Sequence, residues 1–553
     1  MGKWLSGVLV LCLSAGVGAE DRPDLEAVHR IRQEGLQASQ VMDHLFALTD
    51  ANGPRLTGSP GFKRAAEWAA GRLKEWGVTS AHVESWGRFG RGWSLEHYSA
   101  NLVEPTVAAL HGVPLAWSGG TKGSVTAEVV SAPLWTAQDR EVRYDVAKVD
   151  ERIRTYIAAQ RGKLRGRIVL LDPAPDLKPP VEAASRRYDE AQLQDEAKAP
   201  EPFAAPPLAW PLKAPPADPK KRRELFESLP IAISEDYYRR LESAARPLYT
   251  FFNEEGVVGV LQTDTRGDGG IVFAEGTSAW SLDSPVPPPI VVLEPEAYGR
   301  LVRLAEKKIA TKVALDVAVH LDDQAEGLNV VAELPGGKKK DEIVMLGAHL
   351  DSWHAGTGAT DNGAGSAVVL EAMRILKALN LPLDRTVRLA LWGGEEEGYF
   401  GSRAYVREHF ADPLTKATKP EHARLSGYFN LDNGTGKVRG VYLQGNDMMR
   451  PVFEAWLSPF RDLGVTTISV RNTGGTDHEA FDEVGLPGFQ FIQDPMDYGT
   501  RTHHSSLDVY DHAVAADLMQ AATVMASCVY HAANRPERLP RKPMPKPLPP
   551  KSE

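Results

Sequence analysis

Cysteine is almost absent from this sequence. Its 553 residues include two cysteines, Cys12 and Cys528, and Cys12 lies in an N-terminal segment that we expect to be removed. A mature chain with Cys528 alone cannot form an internal disulfide bond or a thiolate metal site. Because disulfide bonds are common in exported eukaryotic proteins, their absence favours a bacterial periplasmic or extracellular setting.

The sequence also lacks an excess of positive charge. Asp and Glu number 73 against 63 Lys and Arg, which gives a formal net charge of −10. A mildly acidic protein lacks the excess of positive charge that attracts nucleic acid. The proportions of hydrophobic residues (42%) and charged residues (25%) are ordinary for a folded protein. The length allows two or three domains, each with its own core.

Long apolar runs are missing as well. The apolar stretch at residues 4–13 is shorter than the about 20 residues that span a bilayer, and no later run reaches that length. It follows Lys3 and precedes the small residues 17–19, which form a cleavage pattern. We predict that residues 1–19 are a signal peptide removed after Ala19, with a membrane anchor as the alternative. The expected location is therefore secreted or periplasmic, with no membrane span in the mature chain.

The chain does contain an alternation of strands and helices, which predicts an α/β fold with a mostly parallel mixed sheet flanked by helices. Apolar residues with helical spacing occur at residues 366–379, where a stop is expected at Asn380 before Pro382. A closing helix is predicted at residues 513–533. Strands are predicted at residues 343–348, 386–392, 427–431 and 488–492.

The middle of the chain has a different pattern, and we interpret residues 109–325 as an inserted β-rich domain. It contains strand-like runs at residues 124–130, 167–171 and 256–262, and a strand followed by a helix at residues 289–307, where Glu294 begins the helix. The catalytic domain would then consist of residues 20–108 and 326–535.

Two segments are too rich in proline to bury much apolar surface. Residues 173–219 contain 12 of the 40 prolines, and we predict a solvated insertion or lid there. Residues 536–553, rich in Pro and Lys, are predicted to form a flexible tail.

Potential metal ligands follow the predicted strands. His349 and Asp351 come directly after the strand at residues 343–348, and Asp361 lies in a glycine-rich loop further on. Open α/β sheets bind their ligands at the carboxyl ends of the strands. His349 can supply an imidazole nitrogen, Asp351 can orient that ring, and Asp361 can bridge two cations. Taken singly, each has an ordinary structural explanation as a hydrogen-bonded polar residue or a turn.

Three consecutive glutamates, Glu395, Glu396 and Glu397, follow the strand at residues 386–392. Adjacent carboxylates repel one another, so a solvated acidic loop is one explanation. Metal ions would remove that repulsion, and the run lies between an apolar strand and a helix predicted to begin near Ser402. Taken alone, this loop leaves both explanations open.

Asp432 and a pair of histidines complete the candidate set. Asp432 ends a strand, where a carboxylate is costly without a partner, while His503 and His504 lie in a loop and could also be a surface pair. Taken together, the side chains in the order His, Asp, Glu, Asp, His suit two divalent ions that accept nitrogen and oxygen ligands. We therefore predict a site for two metal ions.

Several stretches resemble the co-catalytic zinc exopeptidases, the family of leucyl aminopeptidase and plasma glutamate carboxypeptidase, and are most similar to the carboxypeptidase Q-like subgroup. The resemblance covers about residues 25–105 and 325–535. The residues that carry it are His349-Leu350-Asp351-Ser352-Trp353, Gly358-Ala359, Glu395-Glu396, Gly401-Ser402, Gly53-Pro54-Arg55-Leu56-Thr57-Gly58-Ser59, Gly475-Thr476-Asp477-His478 and His503-His504-Ser505.

The resemblance implies a zinc-dependent exopeptidase fold with an inserted protease-associated-like domain. It also implies two Zn²⁺ ions per chain, for which Mn²⁺ or Co²⁺ could substitute. Glu395 would act as the general base, and Asp351 would orient a ligand from behind. The implied ligands are His349 and Asp432 for one ion, Glu396 and His504 for the other, and Asp361 as the bridge.

Two positions depart from the family pattern. Many relatives place Tyr just before the last histidine ligand, where it helps to stabilise the oxyanion, whereas this chain has His503. His503 is therefore the candidate for that role. Glu397 stands where relatives usually have an uncharged residue, so the choice of the acting pair of glutamates rests on the alignment to Gly398 and Gly401.

The expected function is that of a secreted di-zinc metallo-exopeptidase acting on short peptides or dipeptides, with Glu395 as proton acceptor for a metal-activated water. Tyr498 and Arg501 are candidates for binding substrate, Arg501 through a carboxylate, with a solvated surface arginine as the alternative. A non-catalytic peptidase-like binding protein and a glutaminyl-cyclase-like acyltransferase are the other functions considered for this fold. The sequence leaves open the choice among aminopeptidase, dipeptidase and carboxypeptidase, and whether the chain forms a homodimer.

Overall fold

The structure is a computed structural model that describes residues 21–548 except 79, 137–138, 140–141, 200–209 and 217, together with residue 551. The predicted signal peptide, residues 1–19, lies outside these described residues. Within them, no helix combines the length and the apolar character that a membrane crossing needs.

Helices surround a single large sheet. The α-helices of the described residues are α1 Leu25–Gln37, α2 Val41–Leu48, α3 Pro60–Glu75, α4 Val146–Gln160, α5 Glu190–Ala197, α6 Pro219–Ser228, α7 Ile231–Ser243, α8 Arg246–Glu255, α9 Pro295–Glu306, α10 Ala364–Leu379, α11 Phe400–His409, α12 Arg450–Leu457, α13 His478–Asp482 and α14 Ala515–Asn534. The strands are β1 His82–Glu104, β2 Ala108–Ala109, β3 Gly112–Pro114, β4 Val125–Ser131, β5 Ile168–Leu170, β6 Gly259–Gln262, β7 Ile290–Leu293, β8 Lys312–Leu334, β9 Lys339–His349, β10 Arg385–Trp392, β11 Leu425–Asn430, β12 Val438–Tyr442, β13 Thr467–Ser469 and β14 Gly488–Gln493.

The sheet has the strand order β13-β12-β14-β11-β9-β10-β8-β4-β5-β6-β7-β3, and β1 pairs with β8 and β2. In its centre, β9 runs parallel to β10 and β11, and β11 runs parallel to β14. The predicted mixed α/β sheet is therefore confirmed. Because these four strands are parallel, the loops that follow their carboxyl ends meet at one edge of the sheet.

Apolar side chains cover both faces of the central strands. On one face, the buried residues of α1, α10 and α14 form the largest core cluster with β9, β10 and β11. On the other face, Trp392 and Tyr428 pack against Phe481 of α13, and the Tyr428 and Phe481 rings stack with centroids 4.2 Å apart. Burial on both faces explains why these strands appear in the sequence as short continuous apolar runs.

The strands and helices predicted for the catalytic region are confirmed, with ends that differ by a few residues. The helix α10 ends at the predicted place. Asn380 adopts the left-handed conformation, with φ 46° and ψ 44°, which terminates a helix. Pro382 follows two residues later and cannot continue it. In the inserted region, β7 and α9 form the predicted strand and helix, and Glu294 lies at the N-cap of α9.

The inserted region shares a strand with the catalytic region. β8 pairs with β10 through residues 330–334 and with β4 through residues 312–315, and β1 follows it antiparallel from His82 to Glu104. The predicted boundary between residues 325 and 326 thus falls inside a continuous strand. The two regions form one uninterrupted sheet, which fixes the inserted loops relative to the catalytic edge.

The described part of the proline-rich insertion is mostly exposed, and it contacts the catalytic region at a few points. Arg187 lies 2.9 Å from a carboxylate oxygen of Asp494 and 2.7 Å from one of Asp517. Arg471 donates to the carbonyl oxygen of Lys198 at 3.0 Å. Charge pairing with buried carboxylates therefore holds a segment that has little apolar surface of its own.

The described part of the C-terminal tail, for which we predicted flexibility, contacts the catalytic region. The side chain of Leu539 is buried, with 2% exposed, and its backbone N–H donates to the Ser426 hydroxyl at 3.1 Å. The Lys542 ammonium lies 2.6 Å from Asp482. One apolar anchor and one ion pair are enough to hold this proline-rich segment against the catalytic region.

Candidate metal centre

The predicted ligands meet at the carboxyl edge of the central strands. His349 ends β9, the glutamate run follows β10, Asp432 follows β11, and the two histidines lie in the loop after β14. All of them except His349 line a cavity of about 570 Å³, which we call the site cavity. The predicted site residues on its wall are Asp361, Glu395, Glu396, Asp432, Tyr498, His503 and His504.

His349, Asp361 and Asp432 form the first group of converging side chains. The Nε2 atom of His349 lies 3.2 Å from Oδ1 of Asp361 and 3.3 Å from Oδ1 of Asp432. All three side chains are buried, with exposed fractions of 1%, 4% and 8%. Burial alone would lower the pKa of His349, but the carboxylates of Asp432 and Glu395 raise it well above its ordinary value. The group therefore offers one nitrogen and two oxygens to a common point.

Asp361 also belongs to a second group with the histidine pair. Its Oδ2 atom lies 3.2 Å from Nε2 of His504 and 3.5 Å from Nε2 of His503. Oε2 of Glu396 lies 3.0 Å from the same nitrogen of His504. Because its two oxygens face different groups, Asp361 has the geometry of a bridge between two cations.

Several of these atoms are buried without a hydrogen-bond partner among the described residues. They are Nε2 of His349, Oδ2 of Asp361, Oε1 of Glu396 and Oδ1 of Asp432. An unsatisfied buried polar atom is costly, so four such atoms among neighbouring side chains fit a site that binds cations. Imidazole and carboxylate donors suit zinc and similar divalent ions. The residues present therefore fit a pair of divalent cations.

Asp351 lies behind His349, as an orienting residue would. The Nδ1 atom of His349 is 3.1 Å from the backbone oxygen of Asp351 and 3.6 Å from its Oδ1 atom. The other carboxylate oxygen, Oδ2, accepts hydrogen bonds from the Thr57 hydroxyl at 3.1 Å and from the backbone N–H of Glu396 at 3.2 Å. Asp351 thus connects the loop of the first group to the glutamate run of the second.

The N-terminal motif holds the loop that carries His349 and Asp361. The fully buried guanidinium of Arg55 donates to the backbone oxygens of Leu350, Thr357 and Gly358 at 2.6–2.9 Å. Gly358 has φ +71°, and an added Cβ would lie 2.3 Å from Ser352. Because residues 352 and 358 of the loop approach each other so closely, position 358 requires glycine. The motif Gly53 to Ser59 is structural, and it acts on the site by fixing this loop.

The three glutamates differ in their surroundings. Glu396 contacts His504, whereas the nearest carboxylate oxygen of Glu395 is 4.0 Å from His349. Burial raises the pKa of Glu396 to about 7, and the nearby Asp361 carboxylate adds to the effect. Burial also raises the pKa of Glu395 and of Glu397 well above the ordinary value. The loop is therefore not a solvated acidic turn.

His503 lies on the cavity wall, stacked on His504 with ring centroids 3.8 Å apart. Burial, and the neighbouring His504, lower the pKa of His503 to about 4, so its ring is neutral at pH 7. The Tyr498 ring is 4.8 Å away. His503 also lies within ligand distance of Asp361 and His504, so its placement fits a metal ligand as well as an oxyanion donor.

Arg501 is not on the wall of the site cavity. Its guanidinium forms an ion pair with Asp268 of the inserted region. The sequence suggested Arg501 for a substrate carboxylate because of its proximity to His504 along the chain. The structure pairs it with a carboxylate of the protein instead, and its side chain is 23% exposed, so it is neither on the cavity wall nor the fully solvated arginine of the alternative.

The inserted region contributes residues that the sequence did not single out. The carboxylate oxygen Oε1 of Glu275 lies 2.8 Å from Nδ1 of His504, at hydrogen-bond distance. The helix α7 forms one wall of the site cavity with Tyr238, Arg239 and Glu242. These contacts join positions far apart in the chain, and none of them belongs to a local motif that would have marked it.

Comparisons with known proteins agree with this geometry. The sequence profile described as Peptidase family M28 matches residues 329–529. Carboxypeptidase Q of Bos taurus is 30% identical over 253 residues, which is 46% of this chain and 51% of the relative. The chain thus spans about half the length of the curated relatives it matches.

Two solved structures share the fold. The first is a peptidase M28 precursor from Shewanella amazonensis, with a TM-score of 0.63 and 22% identity, covering 94% of this chain and 98% of that one. The second is BSAP, a zinc aminopeptidase from Bacillus subtilis, with a TM-score of 0.51 and 19% identity, covering 90% of this chain and 95% of that one. At these identities they support the fold, inserted region included.

Proposed function

We propose that this chain is a metallo-exopeptidase that holds two divalent cations, zinc by preference, and hydrolyses short peptides; the match of residues 329–529 to the profile of peptidase family M28 supports the proposal. The observation that carries the proposal is the continuous series of contacts from Asp432 through His349, Asp361 and His504 to Glu396. Four of these residues each have one buried polar atom without a hydrogen-bond partner among the described residues.

The proposed ligands follow from these contacts. His349 and Asp432 would hold one cation, Glu396 and His504 the other, with Asp361 between them. When bound, such cations supply Lewis acidity that lowers the pKa of a water molecule and polarises a peptide carbonyl.

Glu395 is the proposed proton carrier. It lies beside the first group without the close contacts that Glu396 makes with His504. Its carboxylate would accept a proton from the attacking water and pass it to the nitrogen of the departing amine. For the oxyanion of the tetrahedral intermediate, we propose the neutral His503 ring as a donor, with Tyr498 next to it on the same wall.

The site cavity supports small substrates. Its volume of about 570 Å³ lies within the range of about 300–1,000 Å³ that is usual for small-molecule sites. The helix α7 lines one side of this cavity. We therefore propose dipeptides and short peptides as substrates.

Arg239 replaces Arg501 as the proposed partner of a substrate carboxylate. Among the described residues that line the site cavity, it is the one Lys or Arg, and its side chain is 60% exposed. Arg239 pairs with Glu235, which also pairs with Arg403. Glu242 of the same helix also lies on this wall and interacts electrostatically with Arg239, so the proposal rests on the exposed guanidinium itself. A guanidinium can pair with the carboxylate of a free carboxyl terminus through two hydrogen bonds.

The experiment that tests the function is a substrate profile of the zinc-loaded full chain. Free dipeptides, N-blocked dipeptides, dipeptide amides and aminoacyl anilides would be incubated with it, before and after chelation. We expect peptide-bond hydrolysis that chelation abolishes and zinc restores. A chain that binds peptides without cleaving them would indicate a binding protein. Cyclisation of an N-terminal glutamine with release of ammonia would indicate an acyltransferase.

The predicted secretion also stays a proposal. We propose a secreted or periplasmic location on the basis of residues 1–19. N-terminal sequencing of the protein from the medium or periplasm would test it, with Glu20 expected as the first residue.

A further inference from the structure

We propose that Glu275, a residue of the inserted region, positions His504 and thereby makes the inserted region part of the metal centre. The inference rests on the proposed function, because it concerns one of the proposed ligands. The inserted region would then orient a metal ligand in addition to lining the site cavity.

The two nitrogens of the His504 ring face different partners. Nδ1 is 2.8 Å from Oε1 of Glu275, while Nε2 is 3.0 Å from Glu396 and 3.2 Å from Asp361. A neutral imidazole has one N–H group and one lone pair. If Nδ1 donates its hydrogen to Glu275, the lone pair of Nε2 is directed towards the carboxylates that would share the cation. Glu275 thus selects both the tautomer and the orientation of the ring.

Glu275 is itself held by a neighbour in the inserted region. The Arg266 guanidinium lies 3.3 Å from the same oxygen, Oε1, that faces His504. Arg266 also pairs with Asp264 and lies over the Phe273 ring, 4.7 Å from its centroid. These contacts restrict the carboxylate to one direction, which a lone exposed glutamate would not keep.

The backbone fixes the distance between the two loops. The N–H of Ala274 donates to the carbonyl oxygen of His504 at 3.1 Å, and the N–H of Ser506 donates to the carbonyl oxygen of Val272 at 2.8 Å. Phe273 and Ser505 form an isolated antiparallel bridge. The segment before Glu275 and the segment that carries His504 are therefore joined like two short strands. The side-chain contact between them is built on a defined register.

A purely structural explanation is that Glu275 merely docks the inserted region. The chain offers a matched control for it, because Asp268 of the same region pairs with Arg501 of the same histidine loop. Substituting Asp268 removes a polar contact between the same two segments without touching a proposed ligand. Docking alone predicts equal effects at Glu275 and Asp268, whereas positioning of His504 predicts an effect on metal affinity at Glu275 only.

The test compares wild-type chain with E275A, E275Q and D268N, all as the full chain. Zinc content would be measured after dialysis, and the affinity of each site by competition with a chromophoric chelator. We expect E275A to weaken one of two zinc sites by about 10–100-fold and to leave the other unchanged. E275Q should weaken it less, because its amide oxygen can still accept from Nδ1. D268N should keep both wild-type affinities.

The outcomes separate this inference from the proposed function. Fewer than two zinc ions on the wild-type chain would overturn the function, and the inference with it. Two zinc ions on wild type together with unchanged affinities in E275A would overturn the inference alone, as would an equal loss in D268N. Circular dichroism of the metal-free variants would show that the fold is kept, which we expect because the Glu275 side chain is 43% exposed.

Discussion

Oδ2 of Asp361 lies 3.2 Å from Nε2 of His504. The other carboxylate oxygen of Asp361 lies at the same distance, 3.2 Å, from Nε2 of His349. Both oxygens of this residue are thus engaged with imidazoles that belong to different halves of the site. Asp361 is therefore the residue whose loss should affect both proposed cations.

Asp361→Asn is expected to lower zinc content below two ions per chain and to reduce turnover by more than about 100-fold, since a direct ligand should matter more than an outer-shell residue. Asparagine keeps the shape but lacks the charge and one of the two oxygens. Zinc would be measured by atomic absorption and turnover with a free dipeptide. Asp511→Asn, an exposed aspartate in a neighbouring loop, is the control. Two tightly bound ions in Asp361→Asn would contradict the bridging role.

Metal should also stabilise the fold. The buried carboxylates of the site repel one another, and bound cations would remove that repulsion. A cation that binds the folded chain but not the unfolded chain raises the free energy of unfolding. At free zinc about 100-fold above the dissociation constant, each site would add about 2.7 kcal/mol. We expect the thermal unfolding midpoint to fall on chelation and to recover with zinc. An equal recovery in Asp361→Asn would show that the stabilising zinc binds somewhere else.

The central strands and the candidate ligands could be predicted because their signals are local. Each strand is a short apolar run buried on both faces, and His349, Glu396 and Asp432 each follow such a run directly. Once the strands are parallel, their carboxyl ends must share an edge. The strand predictions therefore account for the meeting of His349, Glu396 and Asp432. Asp361 and His504 lie further along their loops, and their roles came from the family resemblance.

The contributions of the inserted region could not be predicted in this way. Glu275 meets His504 through a pairing of two loops. The run Ile271-Val272-Phe273-Ala274 is strand-like, but the histidine loop with which it pairs has no strand pattern. β8 crosses the predicted domain boundary because nothing in its sequence marks where its partner changes from β4 to β10. In the tail, a single leucine, Leu539, finds a buried position, although proline-rich composition as a whole indicates disorder.

His503→Asn should separate the two roles that fit its position. If His503 stabilises the oxyanion, the variant should keep two zinc ions and lose about 10²–10³-fold in kcat, the usual cost of one oxyanion donor. If it is a ligand, zinc content should fall instead. His504→Asn is the matched comparison, and we expect it to lose metal. Full activity and full zinc in His503→Asn would exclude both roles.

Arg239→Gln should raise KM for substrates with a free carboxyl terminus. The substitution removes the guanidinium charge of Arg239 and leaves a side chain of similar reach. We expect KM for a free dipeptide to rise by about tenfold, which corresponds to the loss of about 1.4 kcal/mol, with little change in kcat. The matching dipeptide amide should be unaffected. Arg501→Gln, which removes the ion pair with Asp268, should leave both KM values unchanged.

Equal changes for the free dipeptide and its amide would mean that Arg239 shapes the cavity without recognising the carboxylate. An effect confined to Arg501→Gln would return the carboxylate site to the position that the sequence first suggested.

Glu395→Gln is expected to keep two zinc ions and the fold and to lose nearly all turnover. Glutamine is close to glutamate in shape, but it cannot accept the proton of the attacking water. General acid–base groups contribute about 10²–10⁴-fold, and Glu395 would serve two proton transfers, so we expect the upper end of that range. Glu396→Gln should behave differently, because its carboxylate contacts His504 at 3.0 Å. Its zinc content should fall along with its activity, and added zinc should restore part of that activity.

Zinc content and turnover measured side by side in the two variants decide between the roles. Because the two residues are neighbours in one loop, both substitutions should change the free energy of unfolding by similar amounts. The two variants should therefore differ mainly in their zinc content. A loss of zinc in Glu395→Gln with two ions retained in Glu396→Gln would mean that the roles along the three glutamates are shifted by one position. Glu397→Gln would then be the next variant to measure, since its carboxyl group also lines the site cavity. High turnover in Glu395→Gln would mean that another residue carries the proton.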